Sequence, residues 1–204
     1  MVFSPGADNG CYVSFGCPSW RGLCVARLVL KMSVSLDGFV ASKDGSGDWL
    51  AAGGSDDALG WTVETISNAG AHLMGAATYA VMAAHWPGDS SPFAKPMNEI
   101  PKIVFSNSIT SADWGETTIA RGDLVEAVNR LKREQSGGYL LAHGGTRFAR
   151  SLVEAGVIDE YRLLVHPAVL GTGERIFPAP LTLRPAGTTA FRGGAVAHVF
   201  AAHP

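Results

Sequence analysis

The sequence predicts an α/β protein built on a mixed, mostly parallel sheet with an antiparallel edge. Strand-like apolar runs alternate with helical stretches up to about residue 156, which is the pattern of βαβ units. From Asp159 onward the chain turns almost wholly to strand-like segments, the last with period-two alternation. Composition does not shift beyond residue 24 and no internal repeat is visible, so residues 25–204 read as one domain.

Taken in order, residues 27–36 are apolar and β-branched with Lys31 interrupting, the signature of a buried central strand. Gly38, Gly45 and Gly47 mark a loop. Ser55 is the expected N-cap of SDDALGWTVETISNAG, with Asp56 and Asp57 in the first turn where a helix dipole favours acids and Gly70 as its stop. AHLMG is a short strand that runs into the helix AATYAVMAAHW, and Pro87 to Pro101 reads as a loop. KIVFS and ETTIA are strands, after which Asp123 caps LVEAVNRLKRE, whose Leu124, Val128 and Leu131 recur at helical spacing. YLLAH is a strand ending in Gly144-Gly145, followed by the helix TRFARSLVEAG. EYRLLVHPAVL, TTAFRGG and AVAHVFAAH complete the chain as strands.

The bulk numbers exclude several classes. Of 204 residues, 47% are hydrophobic and 17% charged, a globular balance with a generous core. A formal net charge of −2 leaves no broad basic surface for nucleic acid. No apolar run is long enough for a membrane span. Cys11, Cys17 and Cys24 crowd into the first 24 residues, a poor disulfide framework, and the rest of the chain has no cysteine, which fits a reducing, cytoplasmic setting. Residues 1–24 lack periodicity and the basic-then-apolar order of a signal peptide, so a weakly ordered extension is expected there. The six histidines show no metal-ligand spacing and no serine sits in a nucleophile elbow, so neither a metal site nor hydrolase chemistry is expected.

Ligands of open α/β sheets bind beyond the carboxyl ends of strands, and three such ends stand out. In LLAHGGTRFARSL a strand meets two glycines and a helix whose first turn, Thr146-Arg147-Phe148, lacks the usual acid. That leaves room for an incoming phosphate, although the glycines also suit a plain tight turn. In HLMGAATYAVMAAHW a strand ends in Gly75 and opens a helix carrying Thr78 and Tyr79, where Thr78 is either a phosphate donor or a cap. In SLDGFVASKDGSGDWL, Asp37 is either a functional acid or the first residue of an Asp-Gly turn. Asp48 and Trp49 beyond it read equally as a solvated acid and a packing ring.

Together, SLDGFVASKDGSGDWL, LMGAATYAVMAAHWPG, KIVFSNSIT and LLAHGGTRFARSLVEAGVIDEYRLLVHPAVLGTGERIF resemble the dihydrofolate-reductase-like family. They are most similar to stand-alone bacterial relatives of the carboxyl-terminal reductase domain of the riboflavin-biosynthesis deaminase/reductase. The resemblance runs from about Leu28 to Phe200. It implies a three-layer fold, a mixed sheet with helices on both faces and an antiparallel carboxyl-terminal hairpin. It also implies NADPH as cofactor, with NADH as the alternative, a small-molecule substrate and a homodimer. By position, Gly75, Thr78 and Tyr79 match the family's phosphate turn, and Ser106 the serine near the adenosine 2′-phosphate. Gly144, Gly145, Thr146 and Arg147 match the pyrophosphate turn. Asp37, Asp48 and Trp49 match the segment bordering nicotinamide and substrate. Gly171 and Gly173 match a structural loop.

Three departures bear on function. Ala76 and Ala77 stand where relatives carry arginine, and Asn107 where a basic residue is common, which weakens the preference for NADP over NAD. His143 stands where riboflavin-pathway reductases carry a glutamate, replacing a carboxylate by a titratable donor. The expected activity is hydride transfer from NAD(P)H to a small heterocyclic or carbonyl-type substrate. A pteridine- or pyrimidine-like compound is meant, as for a 5-amino-6-(5-phosphoribosylamino)uracil reductase. Asp37 is the first and His143 the second expected catalytic residue, with Asp48 and Trp49 at the substrate. The alternatives are a nucleotide-binding homologue without turnover and a non-enzymatic scaffold.

Overall fold

The structure is a computed structural model and describes residues 25–202. The extension expected over residues 1–24 lies outside the described residues. Among the described residues, ten strands and five α-helices follow one another. The strands are β1 (Leu28–Ser35), β2 (Ala41–Ser42), β3 (Ala69–Gly75), β4 (Lys102–Phe105), β5 (Thr117–Ala120), β6 (Tyr139–Ala142), β7 (Glu160–His166), β8 (Gly173–Glu174), β9 (Leu183–Ala190) and β10 (Val196–Ala202). The helices are α1 (Asp56–Ser67), α2 (Ala76–His85), α3 (Ala94–Glu99), α4 (Leu124–Glu134) and α5 (Thr146–Glu154).

Eight strands form one sheet in the order β5-β4-β3-β6-β1-β7-β10-β9, parallel through β7 and antiparallel at β10 and β9. The expected mixed sheet with an antiparallel terminal hairpin is therefore what the chain builds. β2 and β8 pair separately, clipping the loop after β1 to the loop after β7. Alternation sends Leu28, Leu30 and Met32 of β1 to one face, where they pack with Val128 of α4 and Ala149 and Leu152 of α5. Val29 faces the other way, with Met74, Leu141, Ile66 of α1, Tyr79 of α2 and Met97 of α3. Helices thus cover both faces.

Because the connections leave the adjacent strands β3 and β6 toward opposite faces, the carboxyl ends of β3, β6 and β1 are where such a fold is expected to form a crevice. β3 runs on into α2 on one face, and β6 into α5 on the other. This is the topological switch at which open α/β sheets place their ligands.

Several expected boundaries move. Asp123 caps α4 as expected, its carboxylate accepting the Glu126 amide at 2.9 Å. Ser55 occupies the N-cap of α1, yet its hydroxyl makes no cap bond. Gly70 does not close α1: the helix ends at Ser67, and Gly70 lies inside β3. A Cβ there would sit 1.9 Å from the Gly137 carbonyl oxygen, so close strand approach and not a helix stop demands the glycine. The 87–101 loop contains α3, and β9 begins at Leu183, earlier than the TTAFRGG segment.

Candidate functional site

Two helix amino termini lie side by side at the switch. α2 begins directly after Gly75 and α5 directly after Gly145, and neither has a side-chain cap or an acid in its first turn. The first amides of both helices therefore point their unsatisfied N–H groups, and the positive ends of two dipoles, at the crevice. The Thr78 hydroxyl donates to the Gly144 carbonyl oxygen at 2.9 Å, stitching one turn to the other. Gly145 has φ +106°, and a Cβ on it would stand 2.2 Å from the Thr78 Oγ1. The glycine is required both by its backbone and by its neighbour. The pair of turns presents two uncapped helix amino termini without local negative charge, as an anion would need, with the side chains of Thr78, Phe148 and Met32 packed against the three glycines.

The structure thus brings Gly75, Thr78, Gly144, Gly145, Thr146 and Arg147 together. Tyr79 points elsewhere, being buried with its hydroxyl accepting the Trp114 amide at 2.9 Å. Ser106 lies on the neighbouring strand, at the end of β4, where its Oγ accepts the amides of Ser108 and Ile109 at 3.2 Å. Beside it the exposed Arg121 guanidinium donates to the carbonyls of Ser106 and Ile109 at 3.4 and 2.5 Å. Asn107 accepts the Gly122 amide at 3.2 Å. One cation therefore wraps the turn at the β4 end, with donors left over for an anion.

On the other side of the crevice, Asp37 is held by three donors. The Ser35 hydroxyl reaches it at 2.6 Å and the amides of Leu170 and Gly171 at 3.1 and 2.7 Å. These bonds, the Ser35 hydroxyl foremost, hold its carboxyl down to about 2, so it stays ionised near neutrality. It anchors the 167–171 loop to the end of β1. Asp48 is exposed at the start of a 3₁₀ turn, Asp48–Ala51. Trp49 lies edge-on to His166, ring centres 5.4 Å apart. His166 ends β7, donates Nδ1–H to the Ala52 carbonyl at 2.9 Å, and keeps a buried, unpartnered Nε2.

Lys31 is the site residue that sequence reasoning passed over. It shares a face of the sheet with His143 and His166, and burial pushes its ammonium down to about 8. Its lateral neighbour Arg162 is paired with Glu160 at 2.6 Å, which also takes Arg27 at 2.7 Å. No carboxylate among the described residues pairs with Lys31, so it stands as a desolvated cation without a counter-ion, a costly arrangement unless a ligand supplies the charge. The available signal was a lysine inside an otherwise apolar central strand. His143, at the end of β6, is buried and held well below the ordinary imidazole range, first by burial and then by His72 and Lys31.

Comparison with known proteins bears on the fold and the family. The uncharacterized protein YyaP of Bacillus subtilis is 28% identical over 182 residues, covering 85% of this chain and 94% of that protein. A diaminohydroxyphosphoribosylaminopyrimidine deaminase/5-amino-6-(5-phosphoribosylamino)uracil reductase of Thermotoga maritima superposes with a TM-score of 0.64 at 17% identity. That match covers 88% of this chain and 57% of the two-function protein. Dihydrofolate reductase of Enterococcus faecalis, complexed with NADP(H), superposes with a TM-score of 0.57 at 14% identity, covering 87% of this chain and 97% of that one. The fold is dihydrofolate-reductase-like, as the four motifs implied. Residues 26–197 match the family described as the RibD C-terminal domain, and the chain belongs to that family.

Proposed function

We propose that this protein is an NAD(P)H-dependent reductase acting on a small pteridine- or pyrimidine-like heterocycle. The observation that carries the reading is the stitched pair of uncapped helix amino termini, with a glycine whose Cβ position would collide with Thr78. Family membership and the NADP(H) complex of a protein with the same fold support it. The Thr78 and Gly144–Arg147 turns hold the pyrophosphate. Arg121 beside Ser106 supplies the guanidinium that Ala76, Ala77 and Asn107 do not, and so favours the 2′-phosphate of NADPH. The cofactor, when bound, supplies the hydride.

The chain's residues do the rest. Addition of a hydride to a C=N or C=O bond leaves an electron pair on the nitrogen or oxygen. Lys31 Nζ, uncompensated and easily deprotonated, gives that atom its proton. Asp37 holds the wall of the cleft through Leu170 and Gly171, and Trp49 against His166 keeps water from the reacting face. His143 contacts the substrate at the β6 end. Fluorescence titration with NADPH and NADH, followed by NADPH oxidation with pyrimidine and pteridine substrates, tests the reading. Saturable NADPH binding with turnover is expected, and absence of binding to either dinucleotide overturns it. The missing arginines before Thr78 favour one second reading, a binder without turnover, which predicts binding and no oxidation.

A further inference from the structure

His143 does not face the cleft alone. Its Nε2 lies 2.9 Å from Nδ1 of His72 on β3, with the rings edge-on at 4.6 Å between centres. His72 Nε2 in turn lies 3.2 Å from the carbonyl oxygen of Pro96 in α3. A carbonyl oxygen only accepts, so His72 carries its proton on Nε2 and donates it there. Its Nδ1 is then a lone pair, and His143 must donate Nε2–H to it. A neutral His143 is left with a bare Nδ1 that no described residue bonds. Both rings are buried, and the charges near them, Lys31 at His143 and Lys102 at His72, are cations that disfavour protonation.

We propose that His72 is a positioning residue that locks His143 as a hydrogen-bond acceptor, so that the β6 end of the cleft takes a ligand group bearing an N–H or O–H. A ligand presenting a carboxylate there meets a lone pair and is refused. A carboxyl side chain at this place could change between donor and acceptor by titrating; a histidine chained to a carbonyl through a second histidine has its direction fixed. The bland alternative is a pair of core histidines satisfying each other. It accounts for the bonded nitrogens but not for the placement of the remaining one, which is not sealed in the core and lies immediately before the Gly144-Gly145 turn and lateral to Lys31. That the ligand is the substrate rests on the reductase reading; the tautomer does not.

Long-range ¹H–¹⁵N correlation spectra of the ¹⁵N-labelled protein, assigned with His143→Gln, read the tautomers directly. Neutral His143 with its proton on Nε2 is expected at neutral pH. His72→Asn, whose amide oxygen replaces the accepting Nδ1, is expected to keep that tautomer, and His72→Phe to release it toward Nδ1–H. A wild-type His143 protonated on Nδ1, or on both nitrogens, overturns the proposal even where His72→Phe fails to fold. So does an unchanged tautomer in a folded His72→Phe. In NADPH-treated samples, millimolar 5,6-diaminouracil is expected to shift the Nδ1 resonance and orotate to leave it in place. A shift with orotate alone, or with neither, overturns the ligand assignment while the tautomer stands. NADPH quenching measured on the same samples reports separately on the reductase reading.

Discussion

The Thr78 hydroxyl donates to the carbonyl oxygen of Gly144, joining the first turn of α2 to the glycine pair that precedes α5. Two adjacent strands thereby present their helix termini as one surface. Replacing Gly145 by alanine is expected to lower stability by about 1–3 kcal/mol from the φ of +106° alone, with a further loss from the overlap with Thr78 Oγ1. Thr78→Ala alone should cost about 1 kcal/mol, the worth of one hydrogen bond. Because it also removes the overlapping atom, the double variant should be less destabilised than the sum of the two, as urea midpoints would show.

Lys31→Met is expected to stabilise the protein near neutral pH and, on the proposed function, to abolish turnover. The folded lysine titrates at about 8, below its ordinary 10.5, so between those values the unfolded chain binds more protons and wild-type stability rises with pH. The advantage of Lys31→Met should be up to about 3 kcal/mol below pH 8 and shrink toward pH 10.5. Urea midpoints at pH 7 and pH 10 check this, and an advantage that does not shrink would count against a half-buried, unpaired ammonium.

Asp37→Asn is expected to loosen the 167–171 loop and lower the urea midpoint. The folded carboxyl is held down to about 2 against an ordinary 3.8, so its contribution is present above about pH 4 and fades as pH falls toward 2. The difference between variant and wild type should narrow over that acid window. If instead kcat/KM falls with stability unchanged, Asp37 touches the reaction directly.

Arg121→Gln should weaken NADPH by about tenfold and leave NADH within about twofold, since only the former carries the phosphate that a guanidinium binds. Dissociation constants from fluorescence quenching decide it. Equal losses for both dinucleotides would place Arg121 elsewhere than at the 2′-phosphate.

What the sequence made legible was what depends on neighbours in the chain. Asp123 could be read as a cap because a cap needs only its own first turn, and the glycine-led turns could be read because a strand, a glycine and an uncapped helix follow in order. Gly70 was misread because the carbonyl that excludes a side chain there belongs to Gly137, on a segment remote in sequence. α3 escaped because six residues hold too little periodicity to be seen. His72 carries no local mark of function and Lys31 only that of a lysine in an apolar strand; the order β3-β6-β1 brings them to either side of His143. Asp37 could be placed at a strand end from the sequence, but its three donors come from Ser35 and from a loop that only folding brings near.

The loop after β1 and the loop after β7 are fastened twice, by Asp37 to Leu170 and Gly171 and by the β2–β8 pairing. They cannot open one at a time. The two loops are expected to open together, so that the amides of Val40, Leu170 and Gly171 lose protection against hydrogen exchange at a common rate. The wall at the end of β1 is a single part assembled from two distant stretches of chain.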